Sequence, residues 1–145
     1  MREIVAEELR SRFAGVPDAV ADPLVAIQVA AKLGELSARF PEARCTLMSA
    51  GDRAVGYLIS ADTAGGVRLC DIAVSTRSRG QGVGRSLLAA LLAEADAAGA
   101  AVELSVWHAA PAYDWYLRHG FAVTGGDPQA YLEMRREYPG IHSVA

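Results

Sequence analysis

The stretch Arg79-Gly80-Gln81-Gly82-Val83-Gly84-Arg85-Ser86 sets three glycines at alternate positions between two arginines. Just after it, Val83, Leu87, Leu88, Leu91, Leu92 and Ala95 trace one side of a helix that Gly99 ends. Just before it, residues 67–74 read as a strand, with a polar loop from Ser75 to Gly80. The start of a helix leaves backbone N–H groups unpaired and partly positive, which suits a phosphate or pyrophosphate. Glycines let its oxygens approach the backbone, and Arg79 and Arg85 can add charge-assisted hydrogen bonds. Two common phosphate loops fail on spacing. No lysine follows Gly84, as a Walker A loop requires, and Arg85 and Leu87 stand three residues after Gly82 and Gly84, where a dinucleotide fingerprint needs glycine. What remains is another phosphate-bearing ligand, or a glycine-rich turn with none.

Other reactive side chains are sparse. Asp71 is an acid in an apolar strand, so it must be paired or functional; an arginine such as Arg68 or Arg44 is a candidate partner. His108, at the end of the next strand, has an imidazole suited to proton transfer or is simply a surface residue. His119 beside Gly120 reads as a helix C-terminal residue facing the dipole. His108, His119 and His142 fall at no ligand spacing, and Cys45 and Cys70, both in apolar strand-like stretches, read as buried thiols. No metal is expected.

These groups need a scaffold. The 145 residues are one domain's worth, so a single α/β domain over 1–145 is expected, with a loose tail over 138–145. A net charge of −3 without a basic stripe argues against nucleic acid as a partner. The longest purely apolar run, Leu87 to Ala93, is too short for a membrane, and Met1 to Glu8 is too acidic for a signal peptide, so a cytoplasmic protein is expected. Residues 1–13 pattern as a helix, with Met1 to Val5 as strand the alternative; 15–23 read as a loop. Asp22-Pro23 reads as the start of a helix to about Arg39, with Leu24, Ile27, Ala31 and Leu36 on its inner face. Strands follow at 44–49, 54–60 and 67–74, then the Leu-faced helix, a strand at 102–107, a short helix at 111–118 and strands at 121–124 and 131–135. Strand, helix and strand with short links make a crossover between parallel strands.

Arg79-x-x-Gly82-x-Gly84 resembles the acyl-CoA signature of the GNAT superfamily of N-acetyltransferases, and Leu69 to Val74 resembles the strand that precedes it. Downstream, Ala112-Tyr113-Asp114-Trp115-Tyr116-Leu117-Arg118-His119-Gly120-Phe121 is similar to that family's second signature. The likeness spans about residues 43–134 in the family's element order. It implies a mixed central sheet flanked by helices, with a parallel strand pair that splays apart to admit pantetheine. By the same resemblance the backbone of Ile72, Ala73 and Val74 would hold the pantetheine and the N–H groups of Gln81 to Arg85, with Arg79 and Gly80 beside them, the pyrophosphate. It implies direct attack of an acceptor amine on acetyl-CoA, with Tyr116 as the acid for the departing thiolate. Asp71 would bind the amine or take its proton through water. The acceptor would be a small molecule or a protein N-terminus or lysine; family habit adds a homodimer. Ala109-Ala110 stand where many relatives have an asparagine, and Ser75-Thr76 where a proline is usual. Those departures motivate an alternative: a GNAT-like module that binds acyl-CoA and transfers nothing.

Overall fold

The computed structural model describes residues 1–140. Helix α1 (Arg2–Arg10) and a 3-10 turn (Ser11–Phe13) lead to α2 (Asp18–Arg39). Strands β1 (Arg44–Ala50), β2 (Arg53–Thr63) and β3 (Gly66–Val74) follow, then α3 (Val83–Ala97), β4 (Ala101–Trp107), α4 (Ala112–Arg118), β5 (Ala122–Gly126) and β6 (Tyr131–Arg136). The sheet is mixed, in the order β1-β2-β3-β4-β6-β5, with β3 and β4 parallel and β6 antiparallel to β4 and β5. The α/β expectation with a strand–helix–strand crossover holds. The β3–β4 ladder runs from Gly66↔Ala101 to Arg68↔Glu103, and β3 goes on beyond it to Val74.

By their internal contacts the residues form two compact units, Met1–Ile59 with Asp71–Leu88, and Ser60–Cys70 with Ala89 onward. The first buries Ile4, Val5 and Leu9 of α1 and Ala21, Val25 and Val29 of α2, and holds Val55, Tyr57 and Ile59 of β2 in its core. Gly56 lets α3 close onto β2, since a Cβ there would stand 2.6 Å from Val83 Cγ1. The second unit buries Val102, Leu104 and Val106 of β4 with Met134, Phe121 and Tyr116, the inward half of alternating strands. Gly66, at φ +149, starts β3 against the backbone of Ala101, and a Cβ would run into that residue's carbonyl. Gly66→Ala is therefore expected to cost roughly 2–4 kcal/mol, through backbone strain and overpacking. A denaturant midpoint matching wild type would contradict this.

The helix expected at the N-terminus holds, with α1 from Arg2, and the sheet begins at Arg44. Three expectations need correction. Helix α2 starts at Asp18, with Pro23 inside it. Pro17, extended at ψ 144, serves as its N-cap and accepts the N–H groups of Val20 and Ala21. Arg10 pairs with both Asp18 and Asp22, drawing that turn against the end of α1; Asp22 is thus an ion-pair partner instead of a cap. The buried face of α2 is Ala21, Val25 and Val29, while Leu24 and Ile27 are exposed, Ile27 at 65%. Small side chains let α1 approach closely, and a helix apolar on several sides does not declare its inner face by period alone. Finally, Cys45 is exposed, because β1 is the sheet's edge, and Cys70 is half-buried. Of the tail, 138–140 are described; 141–145, with His142, lie outside the described residues.

Candidate active site

Between β3 and α3 the chain makes a 3-10 turn (Thr76–Ser78) and then the glycine loop. Its entry is pinned twice. Ser75 N–H donates to the Val55 carbonyl at 2.8 Å, and the Glu7 carboxylate accepts from Ser75 Oγ (3.1 Å), Thr76 N–H (3.2 Å) and Thr76 Oγ1 (3.4 Å). Gly80 and Gly82 take φ of +78° and +81°, where L side chains are strained. A Cβ on either would meet nothing within 4 Å, so the space over the loop is open. Ser86 N–H bonds back to the Gly82 carbonyl at 3.0 Å, which makes Gly82 the residue that opens α3. The N–H groups of Val83, Gly84 and Arg85 then have no carbonyl one turn earlier within the helix. Gln81 N–H is partly used, at 3.4 Å from the Ser78 carbonyl. Arg77, Arg79 and Arg85 are exposed, and none forms an ion pair among the described residues. The arrangement suits an anion such as a pyrophosphate: open donors, a positive helix end and three uncommitted guanidiniums.

The bond from Ser75 to Val55 also orients the end of β3. Alternation along a strand turns the polar groups of Val74 and Ile72 to the side opposite Ser75 and Ala73. Ile72 N–H also lies 3.1 Å from Asp71 Oδ1.

Asp71 sits in a cluster drawn from four elements. Tyr57 of β2 donates its phenol to Asp71 Oδ2 at 2.6 Å, and Lys32 of α2 brings its ammonium to 3.4 Å from the same oxygen. Lys32 also reaches Glu8 of α1 at 3.7 Å. Asp71's cation is therefore Lys32; Arg68 turns instead to Ser105 and Glu133. Tyr57 has no exposed surface, and burial first, then the Asp71 charge, pushes its phenol far above the usual range. Its folded pKa thus exceeds the unfolded value of about 10. The stabilisation it brings is complete below about pH 10 and is lost as pH rises beyond, where the unfolded chain releases a proton the folded one keeps. Tyr57→Phe is expected to cost ~1–2 kcal/mol at neutral pH and to flatten the alkaline fall in stability. Denaturation midpoints from neutral to strongly alkaline pH check this; an unchanged fall would contradict it.

Tyr116 belongs to the second unit. It is 6% exposed on α4, its ring 5.5 Å from Phe121 and 5.3 Å from Trp115. His119 Nδ1 lies 2.8 Å from the Trp115 carbonyl, as a residue closing α4 would. His108 is exposed beside Trp107, ring to ring 4.8 Å.

Sequence reasoning missed Glu7, Glu8, Lys32 and Tyr57. Tyr57 carried one signal, a phenol in an apolar strand that must find a partner when buried. The two glutamates and the lysine read as ordinary helix-surface charges. Among the described residues no cluster of His, Cys, Asp or Glu could hold a metal, and no helix is long and apolar enough to cross a membrane.

Residues 23–132 match the family model described as an acetyltransferase (GNAT) domain. Among solved structures, the PaiA N-acetyltransferase of Thermoplasma acidophilum, in complex with coenzyme A, is similar with a TM-score of 0.70 at 17% identity. That likeness covers 94% of this chain and 90% of that one. A Bacillus subtilis acetyltransferase, also in complex with CoA, gives 0.62 at 16% over 72% and 82%. Nourseothricin acetyltransferase gives 0.58 at 26% over 68% and 67%. At 16–17% identity the first two show a shared fold alone. No curated sequence matches the chain.

Proposed function

Because the chain belongs to the GNAT acetyltransferase family, matched over residues 23–132, we propose that it moves an acetyl group from acetyl-CoA to an amine by direct attack in a ternary complex. One observation carries this reading: the open, glycine-lined start of α3, with unpaired N–H groups and uncommitted arginines facing solvent. That the solved PaiA and B. subtilis proteins hold coenzyme A supports the choice of ligand.

Bound there, acetyl-CoA supplies an activated thioester. The chain's own residues do the rest. Val83 to Arg85, with Gln81 once its long bond to Ser78 gives way, donate N–H groups to the pyrophosphate, and Arg79 and Arg85 neutralise its charge. Gly80 and Gly82 keep the approach clear. The outward-turned backbone of Ile72 and Val74, with Ala73 between them, pairs with the pantetheine amides as an added strand would. Asp71 attracts the acceptor amine and takes its proton. Tyr116 donates a proton to the departing thiolate as charge develops on sulfur. Holding both reactants in place supplies much of the rate, and no covalent enzyme intermediate is needed.

Thiol release from acetyl-CoA over a panel of small-molecule and peptide amines tests this. Turnover with at least one amine is expected, and Asp71→Asn is expected to lower it by about 10²-fold. Tight acetyl-CoA binding with no thiol release over the whole panel would contradict the transfer step while leaving cofactor binding intact.

A further inference from the structure

Lys32 is the single lysine among the chain's 14 basic residues. Its ammonium, on a side chain 30% exposed, lies 3.4 Å from the Asp71 oxygen that also takes the Tyr57 phenol. Glu8 holds it from the other side at 3.7 Å. Asp71 is the residue just before the strand end assigned above to pantetheine. An acceptor amine whose proton passes to Asp71 must bring its nitrogen to that carboxylate, and an amine of the chain itself already stands there.

We propose that Lys32 is an acetyl acceptor: the protein acetylates its own Lys32 within one molecule, once per chain. The inference rests on the reading of Asp71 and the cofactor given under Proposed function. The Lys32 ammonium releases one proton to Asp71 and from there to solvent. The freed nitrogen lone pair forms the C–N bond to the thioester carbonyl carbon. The C–S bond breaks, its electron pair leaves on sulfur, and the sulfur takes up the equivalent of the second proton that the nitrogen gives up as the amide forms. One acetyl-CoA and one lysine ammonium give one Nε-acetyl-lysine, one coenzyme A thiol and one proton.

The nitrogen is held by two carboxylates and must leave both to attack, so the reaction is slower than turnover of a well-placed free amine. Its product is neutral. The ion pairs to Asp71 and Glu8 are lost, and the Asp71 carboxylate, still held by Tyr57, opens to an incoming amine. Lys32 thereby serves as a built-in occupant of the acceptor position that the first transfer removes.

The test incubates the intact protein with acetyl-CoA and maps added acetyl groups by mass spectrometry of peptides. The expected result is one acetyl group on Lys32, formed with first-order kinetics independent of dilution. The rate should exceed that of the same chain unfolded in urea by at least about tenfold, the proximity effect. Lys32→Arg, which keeps the cation, abolishes the modification, and Asp71→Asn slows it without altering coenzyme A binding. Three results would overturn the proposal: an unmodified Lys32 under saturating acetyl-CoA, equal rates in folded and unfolded chains, or a first-order rate constant that rises with protein concentration. Coenzyme A binding, followed through the loop amides, separates the two readings. Binding without Lys32 acetylation sinks this proposal alone; absence of both sinks the cofactor reading with it.

Discussion

A Gly82→Val protein is expected to fold and to bind coenzyme A about 100-fold more weakly, a loss of ~2.8 kcal/mol. Two effects add. Gly82 holds φ at +81°, a region that a β-branched residue enters only with strain. The new side chain also projects into space that is now open, where the pyrophosphate oxygens are proposed to lie. Because nothing lies within 4 Å of that position, packing inside the folded protein is not disturbed. The affinity loss should therefore exceed the loss of stability. Calorimetric titration measures the first and denaturant unfolding the second. Unchanged affinity would mean that the ligand does not lie over this loop.

Tyr116→Phe is expected to lower kcat by about 10²-fold while leaving KM for acetyl-CoA within a few-fold, the signature of an interaction made only as the thiolate departs. Phenylalanine retains the ring that meets Phe121 and Trp115, so the substitution removes the proton and preserves most of the packing. The assignment differs from a packing role in this respect: a packing residue would keep its rate when only the hydroxyl is lost. Wild-type turnover by the Phe protein would remove Tyr116 from the chemistry.

The parts of the fold that local pattern governs were legible in the sequence. Helix α3 declared itself through leucines on one side and a terminating Gly99, which sits at φ +66. Strands β3 and β4 and the loop between β3 and α3 followed from period and from glycine placement. What failed was decided by contacts between distant segments. Whether Ala21 and Val25 or Leu24 and Ile27 face inward depends on α1, whose approach no period within α2 encodes. The start of α2 at Asp18 depends on Arg10, eight residues earlier. Cys45 is exposed because β1 is an edge strand, and strand order is a property of the whole sheet.

The candidate site divides the same way. The glycine loop proposed to hold the pyrophosphate is contiguous, and the residues that carry the proposal could be read directly from Arg79 to Arg85. The cluster at Asp71 is assembled from Glu8, Lys32 and Tyr57, spread over α1, α2 and β2. The sequence pointed to Asp71 as a buried acid in need of a partner and proposed an arginine. The fold supplies a lysine and a phenol, because α2 lays Lys32 over the end of β3, while Arg68 turns to Ser105 and Glu133.

Titration of isotopically labelled protein with coenzyme A, following each backbone amide, shows whether the ligand lies over the start of α3. The amides of Gly82, Val83, Gly84 and Arg85 are expected to move first and furthest, with those of Ile72 and Val74 next. Saturable shifts elsewhere with these resonances stationary, or no shifts at all, would contradict that placement.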